Sequence, residues 1–336
     1  MRLIVIIYSS IISLKYGACL QDNYTTGPTI VALPFNATDD AHAIIEEMKA
    51  KHIRGKHKEK IIDILVSRTI AQRLEIGVQY NNIQKEDFHR DIKNYFDDSS
   101  HDSDKNVFEI ISTTADFLAR RIKHSIKKRG EDHGYMSIIC TSTAKELIDI
   151  RASYLNQYKV EMGIDIPDVL GNSELTRFLS RLFGYNTTLR SDAAADSKKT
   201  AELVKAIPEH KSSCNLQDAS ALYEMMKTES FKQIKAVAEA YKMNSNSKYS
   251  DPLKAIDKNC DSDLKEAFIR IMNYSMDPFH YYAHEIERAF HGKGSIDSAD
   301  TRVMISRSEI DLADIRTCYD NTYEHGLKWA IEVSSR

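Results

Sequence analysis

Apolar residues recur along this chain at helical spacing. Ala41, Ile44, Ile45 and Met48 fall at i, i+3, i+4 and i+7, one face of a helix, and Asp39-Asp40 before them predict its N-terminal cap. Ile61, Ile62, Ile64 and Leu65 predict a second helix that ends at Ser67-Arg68. Ile76 and Tyr80 mark a third, and Ile110 and Ile111 a further one. Apolar and polar residues nowhere alternate over more than a few positions, so the pattern predicts an all-α chain.

The third-helix pattern repeats. Ile76-x3-Tyr80 is followed by Ile150-x3-Tyr154, Val237-x3-Tyr241 and Ile315-x3-Tyr319. The Ser67-Arg68 step reads as recurring at Ser142-Thr143 and Ser306-Arg307. Four diverged copies of one helical unit is the economical reading, and a period of this kind decides the fold. Composition agrees. Only 12 Gly and 6 Pro occur in 336 residues, well under the roughly 12% of an average protein, which disfavours a many-turned β-sandwich or barrel. A hydrophobic share of 42% excludes wholesale disorder. Lys and Arg number 46 against 49 Asp and Glu, so net charge offers no basis for nucleic-acid binding.

The amino terminus follows another pattern. Arg2, an apolar run from Leu3 to Leu14, then Lys15 and Gly17-Ala18-Cys19, predict a secretory signal peptide over residues 1–18. The apolar run is too short to span a bilayer, which takes about 20 residues. An N-terminal segment, 19–38, follows. With Cys19 at the cut, Cys140, Cys214, Cys260 and Cys318 remain, an even number that allows three complete pairings. N-x-S/T sequons begin at Asn23, Asn36, Asn186 and Asn273 and agree with an exported chain.

Arg302-Val303-Met304-Ile305-Ser306-Arg307-Ser308-Glu309-Ile310-Asp311-Leu312 resembles, nearly residue for residue, the second-to-third helix junction of the last annexin repeat. Asp40-Ala41, with Ser67-Arg68-Thr69-x-Ala71-Gln72-Arg73, resembles the first repeat. The resemblance runs from about residue 39 to the end and is weaker in the middle. It implies four annexin-type repeats of about five helices each in a curved disc: 39–113, 114–187, 192–275 and 276–336, the last without its fifth helix. It also implies a convex face that binds acidic phospholipid through calcium.

Calcium takes six to eight oxygens. The resembled site uses carbonyls of a G-x-G-T loop after the first helix and a carboxylate about 40 residues on, after the fourth. Repeat four keeps the loop as Gly292-Lys293-Gly294-Ser295, which puts the carbonyls of Phe290, Gly292 and Gly294 in ligand positions, but Ser334 stands near the acid position, with Glu332 the nearest carboxylate. Repeat two keeps Gly130 and its acid, Asp168. Repeat one has Tyr95 at the acid position and repeat three Asn259, so neither is expected to bind calcium in this way. Few sites are expected in total.

Basic residues crowd the first loops. Lys49, Lys51, Arg54, Lys56, Lys58 and Lys60 lie in the first, and Arg120, Arg121, Lys123, Lys127, Lys128 and Arg129 approach the second. Lys49, Lys51, Arg54, Lys127, Lys128, Arg129 and Lys293 are the expected contacts to acidic lipid, a sulphated polysaccharide or host proteins. A cation near an anionic leaflet contributes about 1 kcal/mol. In the resembled fold, the segments holding Cys214 and Cys260 meet where calcium would bridge repeat three, so the resemblance implies a disulfide between them. No catalytic constellation is present. His280-x3-His284-Glu285 lacks the zincin order and reads as surface histidines. Two functions follow: calcium-dependent binding of acidic phospholipid by a secreted, peripheral protein, or a calcium-independent interaction protein that uses the basic loops.

Overall fold

A computed structural model describes residues 27–50, 54–97, 107–128, 133–185, 187–291 and 299–334. Every regular element among these residues is helical, and the one β feature is an isolated parallel bridge between Ser212 and Cys260. The predicted leader, 1–18, lies outside the described residues.

The first five helices are α1 (Ala37–Lys49), α2 (Arg54–Val66), α3 (Ile70–Gln84), α4 (Phe88–Asp97) and α5 (Val107–Ile110). Next come α6 (Thr114–Lys127), α7 (Gly134–Thr141), α8 (Ala144–Tyr158), α9 (Met162–Leu170) and α10 (Glu174–Leu182). The third set is α11 (Ser197–Leu203), continued by a 3-10 turn over Val204–Ala206, then α12 (Ser220–Thr228), α13 (Phe231–Met243), α14 (Pro252–Asn259) and α15 (Leu264–Met276). The fourth has α16 (Pro278–His291), α17 (Ala299–Arg307), α18 (Leu312–Thr322) and α19 (Leu327–Ser334). This is the all-α repeat architecture expected, with four helices described in the last set.

The caps sharpen the sequence reading. Asn36, not Asp39-Asp40, caps α1: its side chain accepts from the N–H groups of Thr38 and Asp39. The two aspartates occupy the first turn, where the helix dipole favours them, and Asp40 instead takes the Arg68 guanidinium in a two-point ion pair. Thr69, Thr143 and Ser230 cap the third helix of their sets. Each stands at the same distance before Ile76, Ile150 or Val237, so Thr143 is the counterpart of Thr69. The repeated step therefore falls at Thr141-Ser142, not at Ser142-Thr143, as the equivalent of Ser67-Arg68.

The chain forms two compact units: residues up to Phe117 together with those from Tyr282 onward, and residues 118–281. In the first unit, Ile44, Ile61, Ile76, Phe88, Phe96 and Ile315 are fully buried. An extended arm at residues 27–35 is held by backbone bonds, with the N–H groups of Thr29 and Ile30 donating to the Ser308 carbonyl at 2.8 and 3.0 Å. Gln72 donates its amide to the Leu33 carbonyl at 2.6 Å. Glu309 accepts from the Ile70 N–H at 2.5 Å, which caps α3 with a residue from the fourth set. In the second unit, the rings of Phe178, Tyr223 and Phe268 form a buried cluster with centroids 5.1–6.3 Å apart and near-perpendicular planes.

Candidate calcium and membrane site

The four sets differ at the end of the fourth helix. In the second set, Asp168 is exposed. It lies in the last turn of α9, whereas the sequence reading put it just beyond the helix. The helix stops at Gly171, whose φ of +91° favours glycine, and the Gly171 N–H closes on the Pro167 carbonyl at 2.9 Å. Ser173 then caps α10. One turn before Asp168, Asp165 is occupied by the Lys123 ammonium and the Tyr154 hydroxyl. Lys123 is thus an internal cation rather than a surface one. Lys127 is exposed and Lys128 half-buried. Arg129 and Gly130 lie outside the described residues.

In the fourth set, Phe290 is in the last turn of α16 and half-buried. Gly292, Lys293 and Gly294 lie outside the described residues. Glu332 is exposed on α19. His284 meets the Tyr323 hydroxyl at 3.1 Å, and both His280 and His284 are exposed, as surface histidines should be.

The first set closes this place with its own side chains. Tyr95 is buried and its hydroxyl donates to the Glu47 carbonyl at 3.4 Å. Lys58, read from sequence as part of an exposed loop, belongs to α2 and is only 8% exposed. Its ammonium stands 5.3 Å from the Phe96 ring centroid and 6.0 Å from that of Tyr95, within cation–π range. Glu47 takes the Lys60 ammonium at 2.7 Å and the His57 imidazole. The Lys60 hydrogen bond, then that of His57, hold its carboxyl below the ordinary range. Lys49 and Lys56 remain exposed. Arg54 opens α2, and Lys51 lies outside the described residues.

The third set closes the same place covalently. Cys214 and Cys260 form a disulfide with Cα atoms 5.3 Å apart. Around it, the Ser212 N–H donates to the Asn259 carbonyl and the Asp261 N–H to the Ser212 carbonyl, both at 2.8 Å. Asn259, at the acid position, donates its side-chain amide to the Pro208 carbonyl at 2.8 Å. A carboxylate could not make that last bond, because it has no N–H.

The repeated tyrosines have a role that the sequence reading missed. Tyr80 donates to Asp91 at 3.1 Å and Tyr154 to Asp165, each eleven residues on. Tyr241 donates to Glu209 at 2.5 Å and Tyr319 to Glu287, each 32 residues back. Burial, reinforced by the paired carboxylate, pushes all four phenols up, so they remain donors at neutral pH. The acid stands at one of two offsets from the repeated tyrosine, so no single spacing signals the pair.

Among the described residues, no three His, Cys, Asp or Glu side chains gather as a metal cage. Calcium at the second set would rest on backbone carbonyls and the single carboxylate of Asp168. Among the described residues, no helix is long and apolar enough to cross a membrane.

Four related helical sets define an all-α repeat protein. The annexin family model matches residues 40–102 and 281–334. Annexin B10 of Drosophila melanogaster is 26% identical over 316 residues, covering 92% of this chain and 93% of its own. The solved structure of annexin III superposes with a TM-score of 0.79 at 24% identity, covering 92% of this chain and 93% of that one. Calcium-bound annexin (Sm)1 superposes with a TM-score of 0.75 at 21% identity, covering 91% and 88%. The family model, this relative and these structures together support the annexin family for this chain. Calcium-dependent binding to acidic phospholipid is the general property of that family.

Proposed function

We propose that this chain is a secreted annexin that binds acidic phospholipid peripherally, with calcium held at the second and fourth repeats only. The observation that carries this reading is the contrast at the end of the fourth helix: Asp168 is exposed at the end of α9, while its counterparts Tyr95 and Asn259 are hydrogen-bonded to the carbonyls of Glu47, in the last turn of α1, and of Pro208. In the second repeat, calcium would take the Gly130 carbonyl and the Asp168 carboxylate. In the fourth it would take the carbonyls of Phe290, Gly292 and Gly294. Lipid phosphate and water would complete each shell. Lys49, Lys51, Arg54, Lys127, Lys128, Arg129 and Lys293 add salt-sensitive attraction to the anionic leaflet. The Cys214–Cys260 disulfide supports an oxidising, exported environment.

A second reading, calcium-independent binding of lipid, polysaccharide or protein through the basic loops, is favoured by the closed first and third repeats. Sedimentation with phosphatidylserine vesicles separates the two. The first reading expects binding in calcium that is lost in chelator and weakened by Asp168→Ala. Equal binding in calcium and chelator, for wild type and variant alike, overturns it.

A further inference from the structure

In the second unit, a cleft of about 610 Å³ opens between α9, α10 and α12. Three cations line it. Arg177 and Arg181 lie one turn apart on α10, and Lys227 faces them from the end of α12. Ser180 and Thr187 contribute hydroxyls. Tyr185, Pro167 and Leu216 supply an apolar side.

The walls are held in place. Arg181 donates to the Tyr223 hydroxyl at 3.0 Å and lies 5.7 Å over that ring. Tyr185 packs directly on the backbone of α9: a Cβ at Gly163 would sit 2.5 Å from its ring, so only glycine fits there. The one carboxylate lining the cleft, Glu224, is bound to Lys227 at 2.7 Å. Arg177 pairs with Glu174 at 2.6 Å, with both side chains nearly half exposed. Such a surface pair is worth about 0–1 kcal/mol and yields readily to a better anion.

We propose that this cleft binds a phosphate or sulfate monoester carried on an apolar or ring-shaped body, without calcium. Two guanidinium forks and an ammonium match a tetrahedral oxyanion, the Thr187 hydroxyl donates to one of its remaining oxygens, and the Tyr185 side receives the body. Pro167, in the wall, is the residue before Asp168, so the cleft and the candidate calcium ligand share the end of α9. The cleft requires none of the calcium residues, so it stands or falls separately from the proposed function.

The test is isothermal titration of the full chain in chelator with phenyl phosphate, phenol and inorganic phosphate. Phenyl phosphate should bind, more tightly than inorganic phosphate, and phenol should not. Arg177→Gln, a change at an exposed side chain, should weaken phenyl phosphate about tenfold, the worth of one charge-assisted hydrogen bond. Arg181→Gln should do the same, with circular dichroism verifying its fold. Lys49→Gln/Lys127→Gln, in the basic loops, should leave the affinity unchanged. Short-chain phosphatidic acid, used below its micelle concentration, distinguishes the source. Tighter binding than phenyl phosphate assigns a lipid headgroup, weaker binding a soluble ester, and either ordering supports the site. No heat at millimolar phenyl phosphate overturns the proposal. So does an affinity unchanged by Arg177→Gln, or one lost in the basic-loop variant.

Discussion

Removing the Cys214–Cys260 bridge should destabilise the second unit by a calculable amount. The bridge closes a loop of 46 residues. Chain-entropy arithmetic for a loop of that length gives a denatured state stabilised by about 4 kcal/mol when the link is cut. The hydrogen bonds among Ser212, Asn259, Asp261 and Pro208 survive in Cys214→Ala/Cys260→Ala, so the loss is that of the link itself. For a unit of about 160 residues, the unfolding entropy near the midpoint is about 0.34 kcal/mol/K, so Tm should fall by about 12 °C. If the whole chain unfolds together, the fall halves to about 6 °C. Calorimetry of wild type and double variant without reductant measures it, alongside non-reducing peptide mapping. A fall below about 2 °C, or a map that finds either cysteine elsewhere, refutes the reasoning.

Further outcomes follow from single contacts. Gly163→Ala should cost about 1–3 kcal/mol in urea unfolding, because the new methyl displaces the Tyr185 ring. Arg302→Met should cost about 3 kcal/mol by taking from Glu285 its buried partner at 3.2 Å and leaving it the exposed Arg288 at 3.5 Å, whereas Glu285→Met/Arg302→Met should lie close to wild type; a double variant worse than the single contradicts this. Glu47 titrates lower in the folded chain than its ordinary value of 4.5, so it contributes stability above that pH and loses it as pH falls through the folded value. Wild type should therefore lose more stability than Glu47→Gln between about pH 6 and pH 3 in denaturant titrations, and parallel losses would count against the Lys60 and His57 pairing.

The helices were legible because amphipathic spacing repeats over many residues; Ile44, Ile76 and Ile315, read from sequence, are all fully buried. The disulfide was reached through family resemblance, since four cysteines alone allow three pairings. What failed was finer. Asn36 caps α1 because a side chain accepting two N–H groups ends a helix more effectively than acids inside its first turn. Lys58 looked like one more loop cation, but α2 begins early enough to turn it onto Tyr95 and Phe96. A charge run in sequence does not reveal which cations have internal partners. Lys123 is another such cation, because its partner Asp165 is distant in the chain, whereas Lys60 stays exposed while it pairs with Glu47. The tyrosine–carboxylate pairs escaped because the partner changes side between repeats, eleven residues on in two and 32 back in the others.

The central claim is that calcium is kept at the second and fourth repeats and replaced at the first and third. Equilibrium dialysis of calcium against the chain on phosphatidylserine vesicles tests it most directly. The account predicts about two ions per chain beyond the vesicles' own binding, with Asp168→Ala removing one and Asn259→Ala removing none. Four ions, none, or a count unmoved by Asp168→Ala would contradict it.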